Sequence, residues 1–65
     1  MKILVNGAWR EVEHVNLQAL LRELGYENRT LATALNASFV PQTARATTTL
    51  KEGDRLEIVV PMQGG

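Results

Sequence analysis

Cysteine is absent from the 65 residues of this chain. Its absence excludes a disulfide framework and a thiolate metal site, so hydrophobic packing alone must stabilise the fold. A chain of this length buries only about 60% of the surface that it exposes when unfolded, which limits it to one small domain. No apolar run approaches about 18 residues and no basic-then-apolar leader opens the chain. We therefore expect a cytoplasmic protein with no membrane segment.

An excess of one charge is lacking as well, because seven basic and seven acidic residues cancel. A protein that binds nucleic acid needs a concentrated basic face, so no nucleic-acid partner is expected. His14 is the one histidine, and the sequence offers it neither further ligands nor a nucleophile, so it is interpreted as an exposed linker residue outside any metal site. No nucleophile–base pair or phosphate loop is visible, and nothing in the residues indicates an enzyme.

The first half of the chain predicts a hairpin followed by a helix. Asn6-Gly7 joins two strand-like runs, Lys2–Val5 and Ala8–Val12, and this dipeptide favours the type I′ turn that closes two-residue hairpins. Trp9 is predicted to pack across the strands beside that turn. The helix has an N-cap asparagine, a stop glycine and one apolar stripe of leucines at i, i+3, i+4 and i+7: Asn16, Gly25, Leu17, Leu20, Leu21 and Leu24.

The second half predicts three more strands: Thr30–Leu35, Phe39–Pro41 and Arg55–Val60. Proline blunts the second of these, which suits a sheet edge. The connection Gln42–Thr49 is interpreted as a polar, irregular loop with Leu50 tucked beneath it.

With a single helix available, that helix must cover one face of a sheet that contains every strand. The crossover rule then gives one mixed sheet, with the most apolar strands in the centre. The predicted fold class is α+β, a ubiquitin-like β-grasp with a mixed four- to five-stranded sheet. Residues 1–60 would form the single domain, and residues 61–65 a flexible C-terminal tail.

The predicted tail, Pro61-Met62-Gln63-Gly64-Gly65, carries the strongest functional signal. Proline has no N–H to donate and ends the sheet ladder, while the two glycines have no side chain and add no bulk. A strand that leaves the core and ends this way indicates a carboxylate that is threaded into another protein. The alternative is an incidental loose end, because chain ends are often loose.

Beside the ending Pro-Met-Gln-Gly-Gly, the chain has Asn36, then Phe39-Val40-Pro41, and then the spacing Leu50-x-x-Gly53-Asp54-x-x-Glu57-Ile58-Val59. Together, and above all through the ending, these residues resemble the ThiS family of thiamine-biosynthesis sulfur carriers. The resemblance covers nearly the whole chain.

The resemblance implies a carrier that is monomeric when free, holds no cofactor of its own and is not an enzyme. In this family a ThiF-type adenylyltransferase uses ATP and magnesium to activate the terminal carboxylate, which here belongs to Gly65. Sulfur from a cysteine-desulfurase persulfide then produces a thiocarboxylate. Thiazole synthase, ThiG, receives that sulfur for the thiazole of thiamine.

Roles for individual residues follow from that resemblance. Gly65 would carry the sulfur and Gly64 would provide clearance beside it, while Pro61, Met62 and Gln63 would set the path of the tail. Alternation along the last strand predicts that Glu57 and Val59 point away from the helix. With Phe39, they are predicted to form the face that docks partner enzymes, although Phe39 could instead belong to the core.

Three other functions remain open at this point. A related β-grasp carrier could serve molybdopterin synthesis or transfer-RNA thiolation through the same terminus. A ubiquitin-like modifier would be joined through Gly65 to lysines of other proteins. A passive interaction domain would not need Gly64 or Gly65 at all.

Overall fold

The computed structural model of the protein describes residues 1–26 and 29–61. These ranges contain five strands, one α-helix and one 3₁₀ helix: β1 (Lys2–Val5), β2 (Ala8–Glu11), α1 (Leu17–Glu23), β3 (Ala32–Leu35), β4 (Ser38–Val40), the 3₁₀ helix (Gln42–Thr47) and β5 (Arg55–Val59). Within them, no helix combines the length and the apolar character needed to cross a membrane.

The strands form one five-stranded sheet in the order β2-β1-β5-β3-β4. The pair β1–β5 is parallel, and the three other pairs are antiparallel. The two most apolar strands therefore flank each other in the centre, as predicted, and β4 lies at an edge immediately before Pro41. This mixed sheet with one α-helix against it is the predicted β-grasp architecture.

The hydrophobic core lies between the sheet and α1. Three leucines of the predicted stripe are buried and the fourth, Leu24, packs against them. The central strands contribute alternate residues, because only every second side chain of a strand faces the same side of the sheet. The buried apolar residues are Ile3, Val5, Val12, Leu17, Leu20, Leu21, Val40, Leu50, Leu56 and Ile58.

Both predicted local signals at the ends of α1 are confirmed. The side chain of Asn16 accepts a hydrogen bond from the backbone N–H of Ala19 (3.0 Å). Gly25 has a φ of +89°, a left-handed conformation that glycine adopts without steric cost. The hairpin turn is confirmed too, since Asn6 and Gly7 both have positive φ, at 49° and 83°.

The interpretation of Gln42–Thr49 as an irregular loop was wrong, because Gln42–Thr47 forms a 3₁₀ helix. Its anchor is Arg45, which is only 8% exposed. The guanidinium donates hydrogen bonds to the carbonyl of Leu31 (2.8 Å) and to Oγ1 of Thr33 (3.3 Å). These contacts with the start of β3 order the segment, and no local pattern in the sequence announces them.

His14 is exposed, as predicted, but its side chain has a partner. Its Nδ1 lies 2.7 Å from Oε1 of Glu23, near the end of α1. The same carboxylate also accepts backbone N–H groups of Glu13 and His14 at 3.4 Å. The pair therefore connects the chain before the helix to the last helical turn.

The pKa of Glu23 lies below its usual value of 4.5, chiefly because His14 hydrogen-bonds to the carboxylate. A carboxylate with a lowered pKa stabilises the folded state above its unfolded pKa, and that contribution is lost as the pH falls through the folded value. We expect Glu23→Gln to be less stable than the parent protein near neutral pH and to differ less from it below about pH 4. Urea unfolding at several pH values measures this, and a pH-independent difference would contradict it.

Candidate functional site

The face of the sheet opposite α1 is uncovered in the described ranges. Along β5, Leu56 and Ile58 are buried, whereas Arg55, Glu57 and Val59 are exposed. This alternation agrees with the orientation predicted for Glu57 and Val59. Strand register gives the other residues of the same side, which we call the open face: Leu4, Trp9, Ala32, Ala34, Phe39, Arg55, Glu57 and Val59.

Three large apolar side chains of the open face are well exposed: Trp9 at 59%, Phe39 at 69% and Val59 at 62%. The alternative of Phe39 as a core residue is therefore wrong. Phe39 lies opposite Ala34, and Trp9 lies opposite Leu4 across the hairpin. The two aromatic side chains consequently stand on opposite edge strands, with β5 between them.

The middle of the open face is a shallow depression that carries charged side chains. Ala34, opposite Glu57, is small, and the depression, of about 510 Å³, is lined by Leu4, Asn6, Gly7, Arg55 and Glu57. Aromatic side chains such as Trp9 and Phe39 are enriched in surfaces that bind other proteins. The prediction from sequence identified Phe39, Glu57 and Val59 but missed Trp9, whose place depends on the hairpin register.

The turn residue Asn6 holds the end of β5. Its Nδ2 donates to the carbonyl of Ile58 (3.1 Å), and the backbone N–H of Ile58 donates to its Oδ1 (2.7 Å). The ladder between β1 and β5 pairs only Leu4 with Arg55 and Val5 with Leu56. The side-chain amide of Asn6 therefore continues that ladder by imitating a peptide group, and it fixes β5 close to Pro61.

A second asparagine in a turn holds the beginning of β5. Asn36, with a φ of 50°, accepts the backbone N–H of Arg55 on its Oδ1 (2.9 Å) and donates from Nδ2 to Oδ1 of Asp54 (3.0 Å). The turn itself is short, because Ser38 already belongs to β4. We call the contacts of Asn6 with Ile58 and of Asn36 with Arg55 the two asparagine clasps, and no local pattern in the sequence announces either of them.

Asn6→Gly should loosen the end of β5 while keeping the turn, since glycine tolerates positive φ. Two hydrogen bonds are lost, and we expect a cost of roughly 1–2 kcal/mol in the free energy of unfolding. Amide hydrogen exchange measures this. The amide of Ile58 should exchange faster in Asn6→Gly than in the parent protein, whereas the exchange rate of Leu35 in β3 should change little. Unchanged protection of Ile58 would show that the clasp contributes little.

The strand β5 ends at Val59, Val60 is half-buried and Pro61 is exposed. The remaining residues predicted for the tail, Met62, Gln63, Gly64 and Gly65, lie outside the described residues. Among the residues that are described, no group of three or more histidine, aspartate or glutamate side chains could hold a metal ion. The candidate site thus consists of the open face and a central strand whose end is held by Asn6.

The family model of the ThiS family matches residues 3–65 of the chain. The chain belongs to the ThiS family. This match spans both asparagine clasps, the open face and the terminal Gly64-Gly65. It confirms the family resemblance inferred from the sequence, and it places the chain in a family of small carrier proteins linked to thiamine biosynthesis.

Two further proteins are similar to this chain, one in structure and one in sequence. A crystal structure of the thiamine biosynthesis protein ThiS from Geobacter metallireducens is 30% identical, with a TM-score of 0.83 over the whole of both chains. A thiazole synthase from Paramagnetospirillum magneticum (strain ATCC 700264 / AMB-1) is 38% identical over 66 residues. That alignment covers all of this chain but only 20% of the relative, so the chain spans one fifth of that protein.

Proposed function

We propose that this ThiS-family chain is a sulfur carrier for the thiazole of thiamine, with the carboxylate of Gly65 as the group that receives sulfur. The observation that carries the proposal is the extent of the family match, which runs through the terminal diglycine. The likeness to a thiamine biosynthesis protein and to part of a thiazole synthase supports the same pathway. The proposal requires that Gly65 bear a free carboxylate in the working protein.

The chemistry begins with an unreactive group. A C-terminal carboxyl has a pKa near 3.5, so at neutral pH it is an anion and a poor electrophile. In the proposed first step, a carboxylate oxygen attacks the α-phosphorus of ATP, with magnesium on the activating enzyme, and pyrophosphate leaves. The resulting acyl adenylate has a good leaving group in AMP.

Sulfur enters in the second step. The terminal sulfur of a persulfide attacks the acyl carbon and AMP leaves, which joins the carrier to the donor through an acyl disulfide. A thiol then cleaves the S–S bond by exchange, and the products are the thiocarboxylate and a new disulfide. The absence of cysteine from the chain means that no internal thiol can intercept the activated acyl group.

In this proposal the tail enters the active sites of the partner enzymes and the open face binds their surfaces. Gly64 and Gly65 present no Cβ to a narrow active site, and Pro61, Met62 and Gln63 guide them there. The open face, with Trp9, Phe39 and Val59 as its apolar contacts, docks a ThiF-type adenylyltransferase. Thiazole synthase accepts the sulfur afterwards, and we place the free carrier in the cytoplasm as a monomer.

Mass spectrometry of the intact protein tests the proposal. The protein is incubated with ATP, magnesium, a ThiF-type enzyme, a cysteine desulfurase and cysteine, and then alkylated. We expect one oxygen to be exchanged for sulfur, with the alkyl group mapped to Gly65. Alkylation is required because oxidation of Met1 or Met62 gives nearly the same nominal mass shift.

The matched control is a chain that lacks Gly64 and Gly65, which should remain unmodified. A full-length chain that keeps a plain carboxylate with several activating enzymes would overturn the proposal. Transfer of the sulfur to thiazole synthase separates this function from the related carriers for molybdopterin or transfer RNA. Lysine conjugates of high mass in cells would instead indicate a protein modifier.

A further inference from the structure

A second recess lies on the α1 side of the sheet, away from the open face. It has a volume of about 380 Å³ and is bounded by α1, the segment before β3 and the 3₁₀ helix. Thr30, in its wall, lies just before Ala32, which pairs with Val59. The recess is therefore at the end of the sheet where β5 finishes, and we call it the arginine cleft.

Three arginines from three separate segments line the arginine cleft: Arg22 on α1, Arg29 before β3 and Arg45 on the 3₁₀ helix. Arg22 already has an interaction of its own, so Arg29 and Arg45 are the cations that a ligand would meet. The chain as a whole has no net charge and only seven basic residues. Among the described residues, the lining contains no carboxylate. Positive charge in a recess with low-dielectric walls focuses the field and attracts anions.

Arg45 is held in place before any ligand arrives. Its guanidinium donates to Thr33 and to the carbonyl of Leu31, and Oγ1 of Thr33 donates in turn to the carbonyl of Val40 (2.9 Å). Each of these partners is a neutral oxygen, so none offsets the positive charge. A buried cation whose described partners are neutral is suited to binding an anion, because burying charge without a counter-charge is costly.

We propose that the arginine cleft binds a small phosphate-bearing molecule. Guanidinium groups match the oxygens of phosphate through paired N–H···O bonds. Tyr26, Thr30 and Gln42, whose side chains carry hydrogen-bond donors, also line the cleft. A phosphate group has more acceptor oxygens than one carboxylate, so it can use more of these donors at once. The volume suits a small ligand.

This proposal does not depend on the carrier function, and its test needs only the chain itself. Inorganic pyrophosphate is titrated into ¹⁵N-labelled protein at constant ionic strength, and amide chemical shifts are followed by NMR. We expect saturable shifts at Leu21, Thr30 and Leu31, which line the cleft. Malonate, which offers carboxylates instead of phosphates, should bind several-fold more weakly.

Arg29→Gln is the diagnostic variant, because Arg29 is exposed and its replacement spares the hydrogen bonds of Arg45. It should weaken pyrophosphate binding by roughly three- to tenfold, the range for one charged contact that is partly open to solvent. Arg10→Gln removes an equal charge from the edge strand β2, outside the cleft, and should leave the affinity unchanged.

Three results would overturn the proposal. The first is a linear response without saturation up to about 10 mM pyrophosphate, which would correspond to no specific site. The second is an equal loss of affinity in Arg10→Gln and Arg29→Gln, which would show only a general charge effect. The third is malonate binding as tight as pyrophosphate binding, which would show that the cleft does not prefer phosphate to carboxylate.

Discussion

Val59→Arg is expected to weaken binding to a ThiF-type adenylyltransferase by about 30-fold or more. Val59 is an exposed apolar residue on the open face, at the end of β5 and only two residues before Pro61. A docked partner would remove it from water, and an arginine there would bring an unpaired charge into an apolar contact. An unpaired charge buried in such a contact costs about 2 kcal/mol or more, which corresponds to the stated factor.

The fold should tolerate this change, so the measurement reports docking. The side chain at position 59 is 62% exposed and lies opposite the small residue Ala32. Val15→Arg is the matched control, since Val15 is also an exposed valine (56%) but precedes α1, outside the open face. Binding is measured by calorimetry or surface plasmon resonance. If Val59→Arg and Val15→Arg bind the adenylyltransferase with equal affinity, the open face is not the docking surface.

Leu56→Ala should lower the free energy of unfolding by about 2–5 kcal/mol. Leu56 is fully buried in the central strand, pairs with Val5 on one side and Leu35 on the other, and belongs to the core under α1. Truncation removes apolar contacts and leaves a cavity that the surrounding strands cannot close without losing hydrogen bonds. In a domain of this size that loss is a large fraction of the free energy of unfolding. The midpoint of thermal unfolding should therefore fall by roughly 10–30 °C.

Val59→Ala provides the comparison for that loss. It truncates another apolar residue of β5, but one that faces solvent, so we expect a change within about 0.5 kcal/mol. Urea unfolding followed by circular dichroism measures both variants. A loss below about 1 kcal/mol for Leu56→Ala would mean that the core can repack around the missing side chain.

Both predictions follow from the alternation of buried and exposed side chains along β5. Leu56 and Ile58 stabilise the domain, whereas Glu57 and Val59 are displayed on the open face. The two asparagine clasps hold the strand at both ends. A variant of Asn6 should therefore affect the presentation of the tail even though the residue belongs to the first hairpin.

The sequence by itself determined the local elements and the family. The Asn6-Gly7 hairpin, the cap of α1 at Asn16 and the leucine stripe could all be predicted because each depends on residues within a few positions of one another. Alternation along β5 likewise placed Glu57 and Val59 on the side away from the helix. A single mixed sheet could be predicted because one helix can cover only one face, and its most apolar strands were expected in the centre because neighbours protect them there.

Only the tertiary structure decided what depends on register between distant segments. It pairs Asn6 with Ile58, brings Trp9 and Phe39 to the same side of the sheet, and orders the 3₁₀ helix through Arg45. It also gathers three arginines from separate segments into one cleft. The physical reason is that propensity and periodicity act over a few neighbouring residues, whereas these contacts depend on how whole strands and helices pack.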